Sequence, residues 1–254
     1  MKCLILMSYF NRPILVKNSI KSILNSDFKN WELFICDDGS DYPAESIVRK
    51  MLENVENKVT YCQTNKSVEE KCLEGISLGK YVNQTIKNSD ADFAIILGDD
   101  DELLPNYMSD LEKFYIKNPH IDYCYSHLLL RNPLKLQSQE ILNSSSHYNN
   151  YREPINCYGK VDGSQVSFQL RCCKQKGAWF KETTSDGTDT PWVKNTDAEF
   201  FQELYDKCGL AYFSGLVGEI KGVHDYQFVW YKKTDRKGFI SYLDMIKNLA
   251  NKEF

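Results

Sequence analysis

The sequence predicts an α/β protein whose central sheet is mostly parallel and covered by helices on both faces. Three observations carry that prediction. Short apolar runs alternate with segments of helical periodicity through the first half of the chain. The run Phe93-Ala94-Ile95-Ile96-Leu97-Gly98 has no polar side chain and reads as a buried strand. Two such runs stop at acids, Asp37-Asp38 and Asp99-Asp100-Asp101, and a parallel sheet places ligand sites beyond the carboxyl ends of its strands.

Taken in order, residues 2–7 form the first strand. Asn11 can cap the next helix, with Pro13 in its first turn and Val16, Ile20, Ile23 and Leu24 on its apolar face. Residues 31–36 form the second strand, a helix follows near 44–52, and residues 59–62 form the third strand. The stretch 67–88 reads as helical with a break near Gly79, and residues 93–97 form the fourth strand. Beyond it, 106–117 reads as a helix and 123–130 as a strand. The polar stretch 132–160 reads as a loop, with 143–150 nearly featureless in composition. Thr196 is placed to cap a helix over 197–207 that Gly209 closes. Residues 216–220 read as a strand and 239–249 as a terminal helix. With no internal repeat and no clean linker, residues 1–254 read as one domain.

Composition narrows the class. A chain of 254 residues with 42% hydrophobic content, 16 Tyr and 13 Phe supports a substantial core. A net charge of -4 argues against nucleic-acid binding, which calls for a basic face. No stretch approaches the roughly 18 apolar residues of a membrane span. The apolar start lacks a basic leader and runs into polar residues, so it reads as a strand and not a signal peptide. Nine scattered cysteines without a CxxC pair fit a reducing cytoplasm.

Three like charges at a strand end repel one another and demand a counter-charge. A hard divalent cation with oxygen ligands supplies one, and Asp99 and Asp101 are spaced to serve a single ion and its cargo. If the strand carrying Asp37 and Asp38 lies nearby, both clusters open on one edge. A nucleotide diphosphate bridged by a metal suits such a site, because the cation neutralises carboxylates on one side and phosphates on the other. Asp38 can also accept from a base N–H or a ribose hydroxyl. After the first strand the chain reads Ser8-Tyr9-Phe10-Asn11-Arg12-Pro13, with neither GxGxxG nor GxxxxGK(S/T), which removes the support for dinucleotide and P-loop readings.

These residues resemble those of a family 2 glycosyltransferase of the GT-A fold. The matching pieces are Ser8-Tyr9-Phe10-Asn11-Arg12, Asp37-Asp38-Gly39-Ser40 and Leu97-Gly98-Asp99-Asp100-Asp101-Glu102-Leu103-Leu104-Pro105, in family order over residues 1–110. Asn65 and Gly79 stand farther apart than in the family's Asn-x-Gly pattern. The resemblance implies a Rossmann-like nucleotide-binding sheet with an acceptor-side extension. Residues 1–110 would be the nucleotide-sugar-binding half, and 111–254 the acceptor and catalytic-base half. It implies an inverting, metal-dependent transfer of a hexose or N-acetylhexosamine from a UDP-sugar to a hydroxyl of a glycan acceptor. Ser8, Phe10 and Arg12 would embrace the nucleotide, and Asp38 would read the uracil. Asp99 and Asp100 would contact the ribose or the metal shell, and Asp101 would bind Mn²⁺ or Mg²⁺, the division among the three acids being open. His224, in Val223-His224-Asp225-Tyr226-Gln227, would complete the metal site.

Such a transfer needs a base, since the acceptor hydroxyl loses a proton as it attacks; a carboxylate within about 3 Å is the ordinary solution. Glu182, Asp186, Asp189, Asp197 and Glu199 are available. Asp197 starts an amphipathic helix with Phe200, Phe201 and Leu204 on its apolar side, and it falls where the resembling motif has its base. Asp162, opening Asp162-Gly163-Ser164-Gln165-Val166, resembles the start of a strand lining the sugar and acceptor cleft. An indole packs well against a sugar ring, which marks Trp192 and, more weakly, Trp179. A nucleotidyltransferase with the same acids is the rival, but it would carry a Gly-rich basic triphosphate loop. A non-catalytic nucleotide-sugar-binding protein has no use for a further acid fixed on a helix. A cytoplasmic setting is expected, with peripheral contact at the inner membrane face for a membrane-borne acceptor. No motif encodes an oligomeric state.

Overall fold

The computed structural model describes residues 1–65, 78–131, 151–182 and 196–222. Strands β1 (Cys3–Tyr9), β2 (Trp31–Asp37), β3 (Val59–Gln63) and β4 (Phe93–Gly98) form a parallel block in the order β3-β2-β1-β4. This half matches the alternation read from the sequence. The sheet then continues through β7 (Val166–Gln169), β6 (Tyr123–Arg131), β8 (Tyr212–Gly222) and β5 (Glu102–Leu103). In this second half β7 is antiparallel to both β4 and β6, and β5 is antiparallel to β8; only β6 and β8 run parallel. The sheet is therefore mixed, which corrects the mostly parallel expectation. The physical cause is the direction in which the chain enters β7. Because β7 opposes β4, its first residue lies at the carboxyl edge of the parallel block, and the 3-10 turn Gly163–Gln165 before it lies there too.

The sheet also curls. Only three residues separate β4 from β5, yet β5 stands four places away in the strand order. An extended chain spans at most about 14 Å over those four steps. Four strand spacings in a flat sheet would need about 19 Å. The far edge must bend back toward the end of β4, and Glu102 pairs with Ile220 and Leu103 with Glu219 on that returning edge.

Helices cover both faces, as expected of strands buried on both sides. One face packs Cys3, Ile5 and Met7 of β1 against Val16, Ile20 and Ile23 of helix Leu15–Leu24, and against Met108, Leu111 and Tyr115 of helix Tyr107–Lys117. The other packs Leu4 and Leu6 with Val82 and Ile86 of helix Gly79–Asn88 and with Phe200, Phe201 and Leu204 of helix Thr196–Cys208. Gly209, at φ 83, closes that last helix, and its N–H donates to Tyr205 O at 2.9 Å. Asn11 does not cap a helix. It takes a left-handed φ of 52, its Oδ1 accepts from Tyr42 N–H at 3.1 Å, and the helix itself runs from Leu15 with Ile14 at its N-cap. The expected loop at 143–150, the terminal helix at 239–249, and Asp186, Asp189, Trp192 and His224 lie outside the described residues.

Phe200 anchors the helix that carries Asp197. Its ring stacks on Phe180 at 3.7 Å between centroids and meets Phe168 edge-on at 5.0 Å, with no exposed surface. Phe200→Ala should therefore lower the unfolding free energy by about 3–5 kcal/mol in urea titrations. A loss below about 1 kcal/mol would show that the cluster does not hold the helix.

Candidate active site

The carboxyl edge of the parallel block is tied together by its own acids. Asp99 is 2% exposed. Its Oδ2 accepts from Phe10 N–H at 2.9 Å and its Oδ1 from Arg12 Nη1 at 2.6 Å. Arg12 Nη1 also lies 3.3 Å from Asp100 Oδ2. The loop after β1 is thus clamped to the end of β4. Burial pushes the Asp99 carboxyl above the usual range, against the pull of Arg12. Gly98 is required beneath this knot: a Cβ there would lie 2.6 Å from Asp101 Oδ2 and 2.9 Å from Asp100 Oδ1.

The end of β2 forms a second turn beside the first. Buried Asp37 accepts from Ser40 N–H at 2.8 Å and from the Tyr61 hydroxyl. Ser40 Oγ in turn accepts from Asn11 N–H at 3.0 Å, which locks the two loops together. Asp37 therefore builds the turn, and Asp38 is the acid it presents. Asp38 N–H extends the ladder to Tyr9 O at 2.9 Å, and its Oδ1 accepts from Thr64 Oγ1 at 3.4 Å. Ser8, exposed at the end of β1, sits between Cys36 and Gly98 in register.

The remaining residues gather around Lys221. Its Nζ lies 3.2 Å from Asp101 Oδ2 and 3.0 Å from Asp162 Oδ1. The other oxygen of Asp101 accepts from Gly222 N–H at 2.9 Å. Asp162 caps the 3-10 turn, accepting from Ser164 Oγ at 2.7 Å and Ser164 N–H at 3.2 Å. On that turn rests Asp197: a Cβ added to Gly163 would lie 2.5 Å from Asp197 Oδ2. Glu219, fully buried on β8, has no hydrogen-bond partner for either oxygen among the described residues.

Charge and burial set different states on these groups. Burial and the neighbouring Asp162 push the Asp197 carboxyl up to about 6, and Lys221 restrains the shift. Burial would raise Asp162 as well, but Lys221 and the Ser164 donors outweigh it and hold it below the usual carboxylate range. Burial also raises Asp101 against the pull of Lys221, and raises Glu219 far above its ordinary value. Lys221 loses stability as a cation through burial, yet Asp101, Asp162, Asp100 and Glu219 together drive it well above the ordinary lysine range.

Ser8, Phe10, Arg12, Asp38, Asp99, Asp100, Asp101, Asp162 and Asp197 thus meet along one side of the sheet. Gly163 joins them within the segment that Asp162 opens, and Lys221 and Glu219 join them without having been singled out in the sequence. Trp179 packs against the core beneath Lys87, whose Nζ lies 5.3 Å from its ring centroid. The expectation of Mn²⁺ or Mg²⁺ on Asp101 does not fit the described residues. Carboxylates are the right donor type for such an ion. Here, though, each buried acid already has a cation of the chain as its counter-charge, Lys221 on Asp101 and Arg12 on Asp99, with Gly222 and Phe10 N–H donating to their other oxygens. Among the described residues, no three His, Cys, Asp or Glu side chains are grouped to hold a metal ion.

With this geometry in place, known proteins can be compared. The family model for Glycosyl transferase family 2 matches residues 4–169. Over 110 residues the chain is 31% identical to the GalNAc(5)-diNAcBac-PP-undecaprenol beta-1,3-glucosyltransferase of Campylobacter jejuni. That match covers 43% of this chain and spans only 33% of the relative's length. The crystal structure of S. aureus TarS 1-349 in complex with UDP-GlcNAc is similar with a TM-score of 0.65 at 14% identity, covering 97% of this chain and 70% of that one. The mannosyltransferase PcManGT from Pyrobaculum calidifontis, in complex with GDP-Man and Mn²⁺, gives 0.61 at 13% identity, covering 98% and 69%. At these identities the structural likeness speaks for a GT-A-like fold alone. The family match, by contrast, extends from β1 to β7 through both acidic strand ends, and the chain belongs to the family 2 glycosyltransferases.

Proposed function

We propose that the protein moves a hexose or N-acetylhexosamine from a UDP-sugar to a hydroxyl of a glycan acceptor, with inversion, and that Asp197 is the base. The observation that carries this reading is the placement of Asp197. Antiparallel β7 brings the Asp162–Gly163 turn to the donor-side edge, and the Asp197 carboxylate is seated on that turn by a buried helix. In the proposed step, the Asp197 carboxylate takes the acceptor's hydroxyl proton as the oxygen attacks the anomeric carbon. The bond from that carbon to the diphosphate oxygen breaks with its electron pair, and UDP leaves. Asp38 accepts from the uracil, and the Ser8–Arg12 loop, held by Asp99, borders the nucleotide.

UDP as the nucleotide is supported by the likeness to TarS, solved with UDP-GlcNAc; the GDP-Man of the Pyrobaculum enzyme names the competing donor. A membrane-borne acceptor is supported by the undecaprenol in the Campylobacter relative's name. Among the described residues, no helix is long and apolar enough to cross a membrane; peripheral contact at the cytoplasmic face is part of the proposed reading. One sheet takes strands from residues 3 to 222, which supports reading the chain as a single domain.

In titration calorimetry, UDP should bind more tightly than GDP or ADP, and Asp38→Ala should weaken UDP by about tenfold or more, the scale of a hydrogen bond to a charged group. Equal affinities for the three nucleotides would remove the uracil assignment. Asp197→Asn should lower turnover by about 10² or more while leaving UDP binding unchanged. Proton NMR of the wild-type product should show the anomeric centre inverted, and retention would refute the single displacement.

The pH profile should carry the signature of the same carboxyl. Asp197 works only when ionised, and its carboxyl stands at about 6, faced by Asp162 from the 3-10 turn and Lys221 from β8. The wild-type kcat/KM should hold above that value and fall about tenfold per unit as pH drops below it. An acidic limb that survives in a still-active Asp197→Asn enzyme would assign the titration to another group.

A further inference from the structure

Lys221 occupies a place that the transfer chemistry does not by itself explain. Its backbone is fixed twice. The β5–β8 pairing of Glu102 with Ile220 and Leu103 with Glu219 sets it directly across from Asp101, and the β6–β8 ladder pairs it with Leu130. From there a single ammonium touches Asp101, at the end of the donor-side strand β4, and Asp162, on the turn that seats Asp197. It joins the two sides of the cleft as a bridging ion would. The side chains differ in access. Asp101 is 1% exposed, whereas Lys221 and Asp162 keep 20% and 22%. A ligand entering this edge meets the lysine and not the Asp101 carboxylate. With Gly222 N–H on the remaining oxygen of Asp101, a divalent ion approaching this buried carboxylate meets a like-charged ammonium already seated against it.

We propose that Lys221 is a built-in cation, a positioning residue that bridges Asp101 and Asp162 and excludes a divalent ion from Asp101. The ammonium neutralises Asp101 and Asp162 and holds the donor edge and the turn that seats Asp197 at a fixed separation. The consequence is that nucleotide binding does not depend on added metal. Removing the lysine takes from both carboxylates the ammonium that bridges them, which is the setting a hard cation seeks. The inference concerns the cleft of the proposed transfer and rests on that reading where UDP serves as a probe.

Two measurements test it on the full chain. In the first, free Mn²⁺ is followed by electron paramagnetic resonance without any nucleotide, for wild type, Lys221→Met and Lys221→Arg. Lys221→Met should bind Mn²⁺ at least about tenfold more tightly than wild type, and Lys221→Arg should behave as wild type. In the second, UDP is titrated calorimetrically into wild type in EDTA and in Mn²⁺, and the two Kd values should agree within about threefold. Equal Mn²⁺ affinity in folded Lys221→Met and wild type overturns the proposal. So does tight stoichiometric Mn²⁺ binding by wild type alone, or UDP affinity that rises more than about threefold with Mn²⁺. Should circular dichroism show Lys221→Met unfolded, the wild-type measurements decide. If UDP binds wild type in neither buffer, the donor reading fails, and Mn²⁺ binding still judges Lys221.

Discussion

The link between β4 and β5 holds three residues, all of them aspartates, and the geometry of the cleft hangs on its length. A flat sheet would place β5 beyond the reach of so short a link. The sheet must bend, and in bending it carries β8 back over the end of β4. The same three residues that enforce the curl are the acids at the site. Shape and charge are therefore set by one segment: the chain cannot close the sheet without also delivering Lys221 to Asp101.

Burying carboxylates is costly, and this fold offsets the cost differently at each one. Asp99 is answered by a guanidinium and a backbone amide, Asp101 by an ammonium and a backbone amide, Asp37 by a backbone amide and a phenol. These are loop fasteners. Asp99 ties the link after β4 to the loop after β1, Asp101 ties that link to β8, and Asp37 ties the end of β2 to its own turn and to β3, so the edge of the sheet is organised by the chain itself. Among the described residues neither oxygen of Glu219 has a hydrogen-bond partner, and burial pushes its carboxyl far above the ordinary range. Asp197 stands between these cases. It is desolvated enough to hold a proton more tightly than a free aspartate, yet close enough to Lys221 to ionise near neutral pH.

How much of this was legible in the sequence depended on whether the signal was local. The parallel block was legible because unbroken apolar runs such as Ala94–Leu97 announce burial on both faces, and Asp38 and the acidic triplet mark where those runs stop. The helix bearing Asp197 was legible from Phe200, Phe201 and Leu204 at helical spacing. Strand direction was not. Nothing in Val166-Ser167-Phe168-Gln169 says that it runs against β4, since alternation is the same either way. Lys221 was invisible for a related reason. It ends an ordinary-looking strand, and its meaning comes only from pairing with a residue far along the chain. Asn11 misled because Asn is favoured both at helix caps and in left-handed turns, and Tyr42, which selects the turn, is remote in sequence.

That distance has a consequence for how the protein is made. Asp101 and Lys221 are separated by 120 residues, so during synthesis the acidic strand end leaves the ribosome well before its lysine exists. At about 5–20 residues per second the interval is roughly 6–24 s. Through that time Asp101 belongs to a nascent chain that cannot close its sheet, and Arg12, made earlier, is the cation already available to the neighbouring Asp99 and Asp100. The order of translation therefore imposes an order of assembly. The loops after β1 and β4 can be fastened first, and the edge that carries Lys221 is added only when β8 arrives.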